Sequence, residues 1–168
     1  MPLDKDTRKR LQDFVDDARD LLTVEFKRQL QQDYGMDPEA GTVANLASLT
    51  HLDDTRQETA QLLRDIQAHY LGAAQGGGKK AQQDVLLRIA REQAFTVLNR
   101  LAALRLMEAR GLILETVAAG YESEAFQLYS HMAGHSLGAT GAGYRIFLHS
   151  VFDDLSQELP RLFDRFAA

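Results

Sequence analysis

The stretch Ala94-Phe95-Thr96-Val97-Leu98-Asn99-Arg100-Leu101-Ala102-Ala103-Leu104-Arg105-Leu106-Met107 holds ten apolar residues in fourteen. It has no proline and no glycine, and its apolar side chains recur every third or fourth position. A helix apolar nearly all round its circumference belongs in the middle of a bundle, because no face of it prefers water. Outward from this stretch, the same spacing predicts one long helix from about Lys79 to Arg110, closed by Gly111 as its C-terminal cap. Projected at about 100° per residue, Leu86, Ala90, Ala94, Val97, Leu101 and Leu104 share one side. Arg88, Glu92, Thr96, Asn99, Ala103 and Arg110 form a stripe on the other. Arg105 and Glu108 fall on the apolar side. Charges directed into a core must be paired or strongly hydrogen-bonded, so an ion pair that fixes how helices dock is expected there in preference to an open polar site. Glu108 also lies near a helix C-terminus, where the helix dipole disfavours an anion. It needs a cation, and Arg105 or Arg145 can supply one.

Helical spacing governs the rest of the chain as well. Leu11, Phe14, Val15, Ala18, Leu21, Leu22, Phe26 and Leu30 predict an amphipathic helix from about Asp6 to Tyr34, capped by Asp4 or Asp6 and ended by Gly35 and Pro38. A short helix around Val43 to Leu49 is expected. A second long helix follows, capped by Asp53 or Asp54, carrying Leu62, Leu63, Ile66 and Tyr70, and stopping at Gly72. Gly76-Gly77-Gly78 reads as a loop tip. Later helices are expected over about Glu122 to Met132 and Tyr144 to Gln157. The second of these turns Ile146, Phe147, Val151, Phe152 and Leu155 inward, and Pro160 opens a last short turn. No stretch demands a sheet. The expected fold class is all-α: a multi-helix bundle of long amphipathic helices round a central, near-apolar one. It is read as a single domain over 1–168, with 1–34 as an N-terminal helix or arm and 53–168 as the main bundle.

The totals narrow the function classes. The 168 residues include no cysteine, which removes disulfides, thiolate metal sites and cysteine nucleophiles and suits a cytoplasmic location. No run approaches the roughly 20 apolar residues of a membrane helix, so no membrane partner is expected. The net charge of −5 argues against nucleic-acid binding through overall charge. Charge is uneven, however. From Lys79 to Arg110 seven Lys or Arg face three Asp or Glu, so that piece is +4.

Three short motifs invite a chemical reading. His131-Met132-Ala133-Gly134-His135 has the spacing of a zincin helix, but Met132 stands where the general-base Glu belongs and Gly134 weakens a helix. A small metal-dependent hydrolase using His131 and His135, with His149 as a third ligand, is therefore a minor alternative. Gly76-Gly77-Gly78-Lys79 lacks the upstream Gly, the following Ser or Thr and the preceding strand of a phosphate loop. Glu25-Phe26-Lys27 matches half of a nuclease pattern that gathers carboxylates on strands. On a helix, with Phe26 turned to the core, it reads as a surface ion pair.

The run Arg91-Glu92-Gln93-Ala94-Phe95-Thr96-Val97-Leu98-Asn99-Arg100-Leu101-Ala102-Ala103-Leu104-Arg105-Leu106-Met107-Glu108-Ala109-Arg110-Gly111 resembles the helical N-terminal region of large adenine-specific DNA methyltransferases of phage-defence systems. These are the enzymes of the BREX, phage-growth-limitation and DISARM systems, with relatives among fused type II restriction-methylation proteins. Ala94, Thr96, Asn99, Arg100, Ala103, Leu104, Arg105, Glu108, Arg110 and Gly111 carry the match. Val151 to Asp164 resembles the family's lead-in to its catalytic domain. That family transfers a methyl group from S-adenosylmethionine to adenine, using a Gly-rich cofactor loop and an Asn-Pro-Pro-Tyr/Phe motif that holds a flipped-out base. This chain has neither, and its prolines, Pro2, Pro38 and Pro160, are never adjacent.

The resemblance therefore implies a non-catalytic helical piece, truncated or separately encoded, of such a methyltransferase. It implies no cofactor in this chain and S-adenosylmethionine in the full enzyme. The implied partners are the catalytic methyltransferase domain and other defence-system subunits, with double-stranded DNA reached through phosphate contacts at Lys79, Lys80, Arg88 and Arg91. Asn99, Arg100, Arg105, Glu108 and Arg110 are expected to be structural. The alternative is a stand-alone helical protein–protein interaction module.

Overall fold

The computed structural model of the chain describes residues 4–74, 77–134 and 140–163. The fold is all-α. Among the described residues the helices are α1 (Lys5–Gln32), α2 (Asp54–Ala73), α3 (Lys79–Ala109), α4 (Glu124–Ala133), α5 (Thr140–Glu158) and α6 (Pro160–Phe163). A two-residue antiparallel ribbon, β1 (Met36–Asp37) with β2 (Thr42–Val43), is added between α1 and α2. None of these helices is long and apolar enough to cross a membrane. Internal contacts group the chain into two compact units, Met1–Phe95 and Thr96–Ala168. The division falls inside α3, whereas the sequence reading treats 1–168 as one domain.

In the first unit, α1 starts where Asp4 accepts hydrogen bonds from the Thr7 backbone N–H (2.9 Å) and hydroxyl (2.6 Å). It ends at Gly35, whose φ of +62° leaves the helical region. The ribbon turn is then built by one side chain. Asp37 accepts from the N–H groups of Glu39 (2.8 Å) and Ala40 (2.9 Å), and Gly41 closes the turn at φ +64°. The expected short helix over Val43 to Leu49 is a single 3-10 turn, Leu46–Ser48, capped by Asn45. Asp53 caps α2 by accepting from the Arg56 N–H at 2.8 Å, and α2 runs past Gly72 to Ala73. Leu30, Met36, Leu63, Val85, Leu86, Ile89 and Ala90 form the core, with Phe26, Tyr34, Val43, Ile66, Tyr70 and Leu71 packed against it.

The apolar face of the first half of α3 is thus buried as its spacing requires, but most of the apolar face of α1 is not. The one buried residue of α1 is Leu30, in its last turn. Leu11, Phe14, Leu21 and Val24 are between 51% and 67% exposed. The expected inner face of α1 is therefore two faces. Phe26 and Leu30 meet the core, Leu11, Phe14 and Leu21 are exposed, and Val15, Ala18 and Leu22 are half-buried.

In the second unit α3 ends in a glycine cap. The Leu112 N–H bonds the Met107 carbonyl (3.0 Å) and the Gly111 N–H bonds the Glu108 carbonyl (2.9 Å), with Gly111 at φ +66°. This two-bond closure satisfies carbonyls that the helix end leaves open. Leu104, Phe152 and Phe163 are the buried centre, surrounded by residues that include Leu101, Met107, Val117, Leu148, Val151 and Leu155. α4 packs on α5 through aromatic edges: Phe126 with Tyr144 at 5.2 Å between ring centroids, and Phe126 with Phe147 at 5.5 Å. Phe147 and Phe152 face inward as expected, but Ile146 is exposed. Phe95 and Leu106, within the apolar stretch of α3, are exposed too. Residues 94–107 are therefore not enclosed on every side.

Candidate functional site

The basic start of α3 lies in the first unit. Gly78, at φ +94°, leads into the helix, and Lys79 and Lys80 are exposed in its first turn. Their backbone is pinned by the ribbon turn. A Cβ added to Gly41 would stand 2.8 Å from Gln83 Cγ and 2.9 Å from the Lys79 carbonyl oxygen, and the Gln83 side-chain amide donates to the Glu39 carbonyl. The ribbon therefore holds the turn of helix that presents both lysines.

Arg91 is exposed further along α3. Arg88 is committed locally. Its Nε donates to Glu92 at 2.8 Å, and its guanidinium stacks 3.9 Å over the Tyr70 ring. The Tyr70 hydroxyl donates to the other Glu92 oxygen at 2.7 Å. That bond to a carboxylate, aided by burial, pushes the Tyr70 phenol above its ordinary pKa. This triad ties α2 to α3. Arg64 does a similar task. Its guanidinium donates to the carbonyls of Ala60 (2.8 Å), Tyr34 (3.1 Å) and Ala44 (3.0 Å), and burial draws its pKa below the usual arginine value. The spacing of α2 gives no sign of this, because two of the three acceptors lie in other elements.

The family-like residues from Asn99 onward lie in the second unit. Arg100 donates through Nε to the Leu162 carbonyl at 2.9 Å and sits 5.7 Å from the Phe152 ring centroid. It thereby anchors α6 to α3. Glu108 is the centre of the local structure. Its side chain is only 3% exposed and pairs with Arg105 at 3.3 Å. The same carboxylate accepts from the Thr116 N–H at 2.5 Å and from the Val117 N–H. Two backbone amides and a guanidinium are the compensation that a buried carboxylate requires. The expected ion pair is present, with Arg105 itself 57% exposed.

Tyr144 extends the group by donating to the Thr116 carbonyl at 2.8 Å. Burial, with the Glu108 carboxylate nearby, raises the Tyr144 pKa. Asn99 is half-buried, and Arg110 and Arg145 are exposed. The hydroxyl of fully buried Ser123 has no hydrogen-bond partner among the described residues.

The remaining motifs resolve as follows. Glu25 pairs with Arg28 at 2.7 Å and Lys27 with Glu39 at 3.0 Å, while Phe26 packs on the core. This is the surface pairing expected of that tripeptide. His131 is exposed in the last turn of α4, His149 is exposed on α5, and His135 lies outside the described residues. Among the described residues no three His, Asp or Glu side chains gather where a metal ion could be held. Gly76 lies outside the described residues, so the phosphate-loop pattern has no described geometry.

No protein-family model, curated protein or solved structure matches the chain.

Proposed function

We propose that this chain is the non-catalytic helical part of an S-adenosylmethionine-dependent, adenine-specific DNA methyltransferase of a phage-defence or restriction–modification system. The observation that carries the reading is the work done by the family-like residues. Arg100, Arg105, Glu108 and Gly111 lock the end of α3 to the turn at Thr116 and Val117 and to α6. The Arg100 and Glu108 side chains are spent on a backbone carbonyl and two backbone amides, and Arg105 pairs with Glu108. Side chains with those duties build a scaffold and not a reacting site, so the reading assigns the chemistry to another part of the system. The chemistry belongs to a partner domain that binds the cofactor and the flipped base. Lys79, Lys80 and Arg91 give exposed cations for DNA phosphates, which add salt-dependent and sequence-independent affinity. Arg88 contributes less, because Glu92 already neutralises it.

Affinity purification of the tagged chain from its native cells tests this reading. The purified material should transfer radiolabelled methyl groups from S-adenosylmethionine to adenine in duplex DNA. A chain that purifies intact with no methyl transfer counts against it. A titration with duplex DNA at two salt concentrations tests the phosphate contacts separately. The double variant Lys79→Ala/Lys80→Ala should bind more weakly and show a shallower salt dependence. Identical curves for both proteins would remove DNA contact from the proposal.

A further inference from the structure

Arg88, Arg91 and Phe95 share one side of α3 within the first unit. At about 100° and 1.5 Å per residue, Arg88 and Phe95 lie roughly 20° and 10 Å apart, with Arg91 between them. Leu86 and Ala90, which enter the core, project to the opposite side. Phe95 is 57% exposed, and no other large apolar side chain is exposed between Lys79 and Phe95. Nothing in the fold of its unit or in the proposed function uses this ring.

The two arginines beside it differ in kind. The Arg88 guanidinium has a fixed plane, because it rests 3.9 Å over the Tyr70 ring and its Nε is held by Glu92. Its charge is spent, yet its side chain is 58% exposed. A flat, polarisable surface is thus left facing water. Arg91 is the reverse: it is exposed and forms no ion pair among the described residues, so its charge is free. Phe95, one helical turn beyond Arg91, adds a second flat surface. A helical peptide partner would need apolar anchors at i, i+3, i+4 and i+7, and this face offers one. Unpaired bases stack on aromatic rings and on guanidinium planes, and the phosphates that join them seek cations. Duplex DNA keeps its base faces inside the stack, so it could use Arg91 but neither flat surface. Asp84, exposed one turn before Arg88, repels phosphate and ends the track on that side.

We propose that this face binds single-stranded DNA. One unpaired base stacks on Phe95, another stacks on the open side of the Arg88 guanidinium, and Arg91 takes a phosphate between them. The inference rests on the DNA-contact part of the proposed function and narrows it, from phosphates in general to a stretch of unpaired strand.

The chain contains no tryptophan, so Phe95→Trp places its sole indole on this face. The emission of that variant is followed while the full chain is titrated with oligothymidylate and, separately, with a duplex of equal charge. Oligothymidylate should quench the indole by stacking, and the duplex should not. In anisotropy titrations with labelled DNA, Phe95→Ala should bind oligothymidylate roughly tenfold more weakly than wild type and bind duplex equally. Arg88→Lys keeps a cation beside Glu92 but removes the plane, and should weaken single-strand binding alone. Arg91→Ala should weaken both and lower the salt slope by about one. All three positions are exposed, and circular dichroism verifies that each variant keeps its helix content. An indole that responds alike to both DNAs or to neither overturns the proposal, as does equal single-strand affinity of wild type and Phe95→Ala. Duplex binding that Lys79→Ala/Lys80→Ala weakens, without any preference for the single strand, overturns this inference and leaves the phosphate contacts standing. Methyl transfer is measured separately, so failure here is distinguishable from failure of the proposed function.

Discussion

Glu108 shows how much a single side chain can organise. Its carboxylate, nearly sealed from solvent, holds the N–H groups of Thr116 and Val117 and pairs with Arg105. Truncation leaves two buried amides without an acceptor. Glu108→Ala should therefore cost about 2–3 kcal/mol of stability, the scale of hydrogen bonds to a charged group. Urea unfolding of wild type and variant measures this directly. Arg105→Ala should cost less, because that guanidinium is mostly in water. Equal losses would mean that the ion pair, and not the amides, carries the energy. The need for compensation at Glu108 is legible in the sequence, since helical spacing sets both charges on the apolar side of α3. The main partners are not legible. Thr116 and Val117 follow an aperiodic stretch, and a backbone N–H leaves no mark in a sequence. Arg64 escapes for the same reason, as its acceptors are carbonyls.

At the scale of elements, local chemistry places most boundaries. Asp4 and Asp53 start helices by accepting from the third N–H beyond them, and Gly35 and Gly111 end them with a positive φ. These signals sit within a few residues of the ends they make, so the sequence displays them. The ribbon is different. Two-residue strands are too short to show alternation, and the ribbon exists because Asp37 folds the turn and Gly41 lets it approach α3.

That turn has a pH signature. Hydrogen bonds from Ala40 and Glu39 hold the Asp37 carboxyl below its ordinary value of 3.8. A depressed folded-state pKa adds stability that is present above the unfolded value and lost as pH falls through the folded one. Wild type should therefore exceed Asp37→Asn in stability at neutral pH, with the gap closing below pH 3.8. A gap constant from neutral pH down through the acid limb would show that the carboxylate charge does not hold the turn. Gly41→Ala should weaken the same junction through the Lys79 carbonyl contact and the strained φ. The measurement is a lowered melting temperature with α3 otherwise intact.

On the scale of the whole molecule, apolar spacing separates helix from sheet but does not say what covers a helix. The stripe of α1 and the stretch of α3 that holds Phe95 and Leu106 read alike in the sequence as core, yet Leu11, Phe14, Leu21, Phe95 and Leu106 are all exposed. A hydrophobic pattern records a need for burial without recording by whom. For the chain as a whole the answer proposed is a catalytic partner that the family-like residues would help to support.

The most direct test of that claim is the N6-methyladenine content of genomic DNA, measured by mass spectrometry in native cells with and without this chain. Methyladenine should fall when the chain is removed and return with the wild type, while Glu108→Ala restores it poorly. An unchanged methyladenine level in cells lacking the chain would contradict the account.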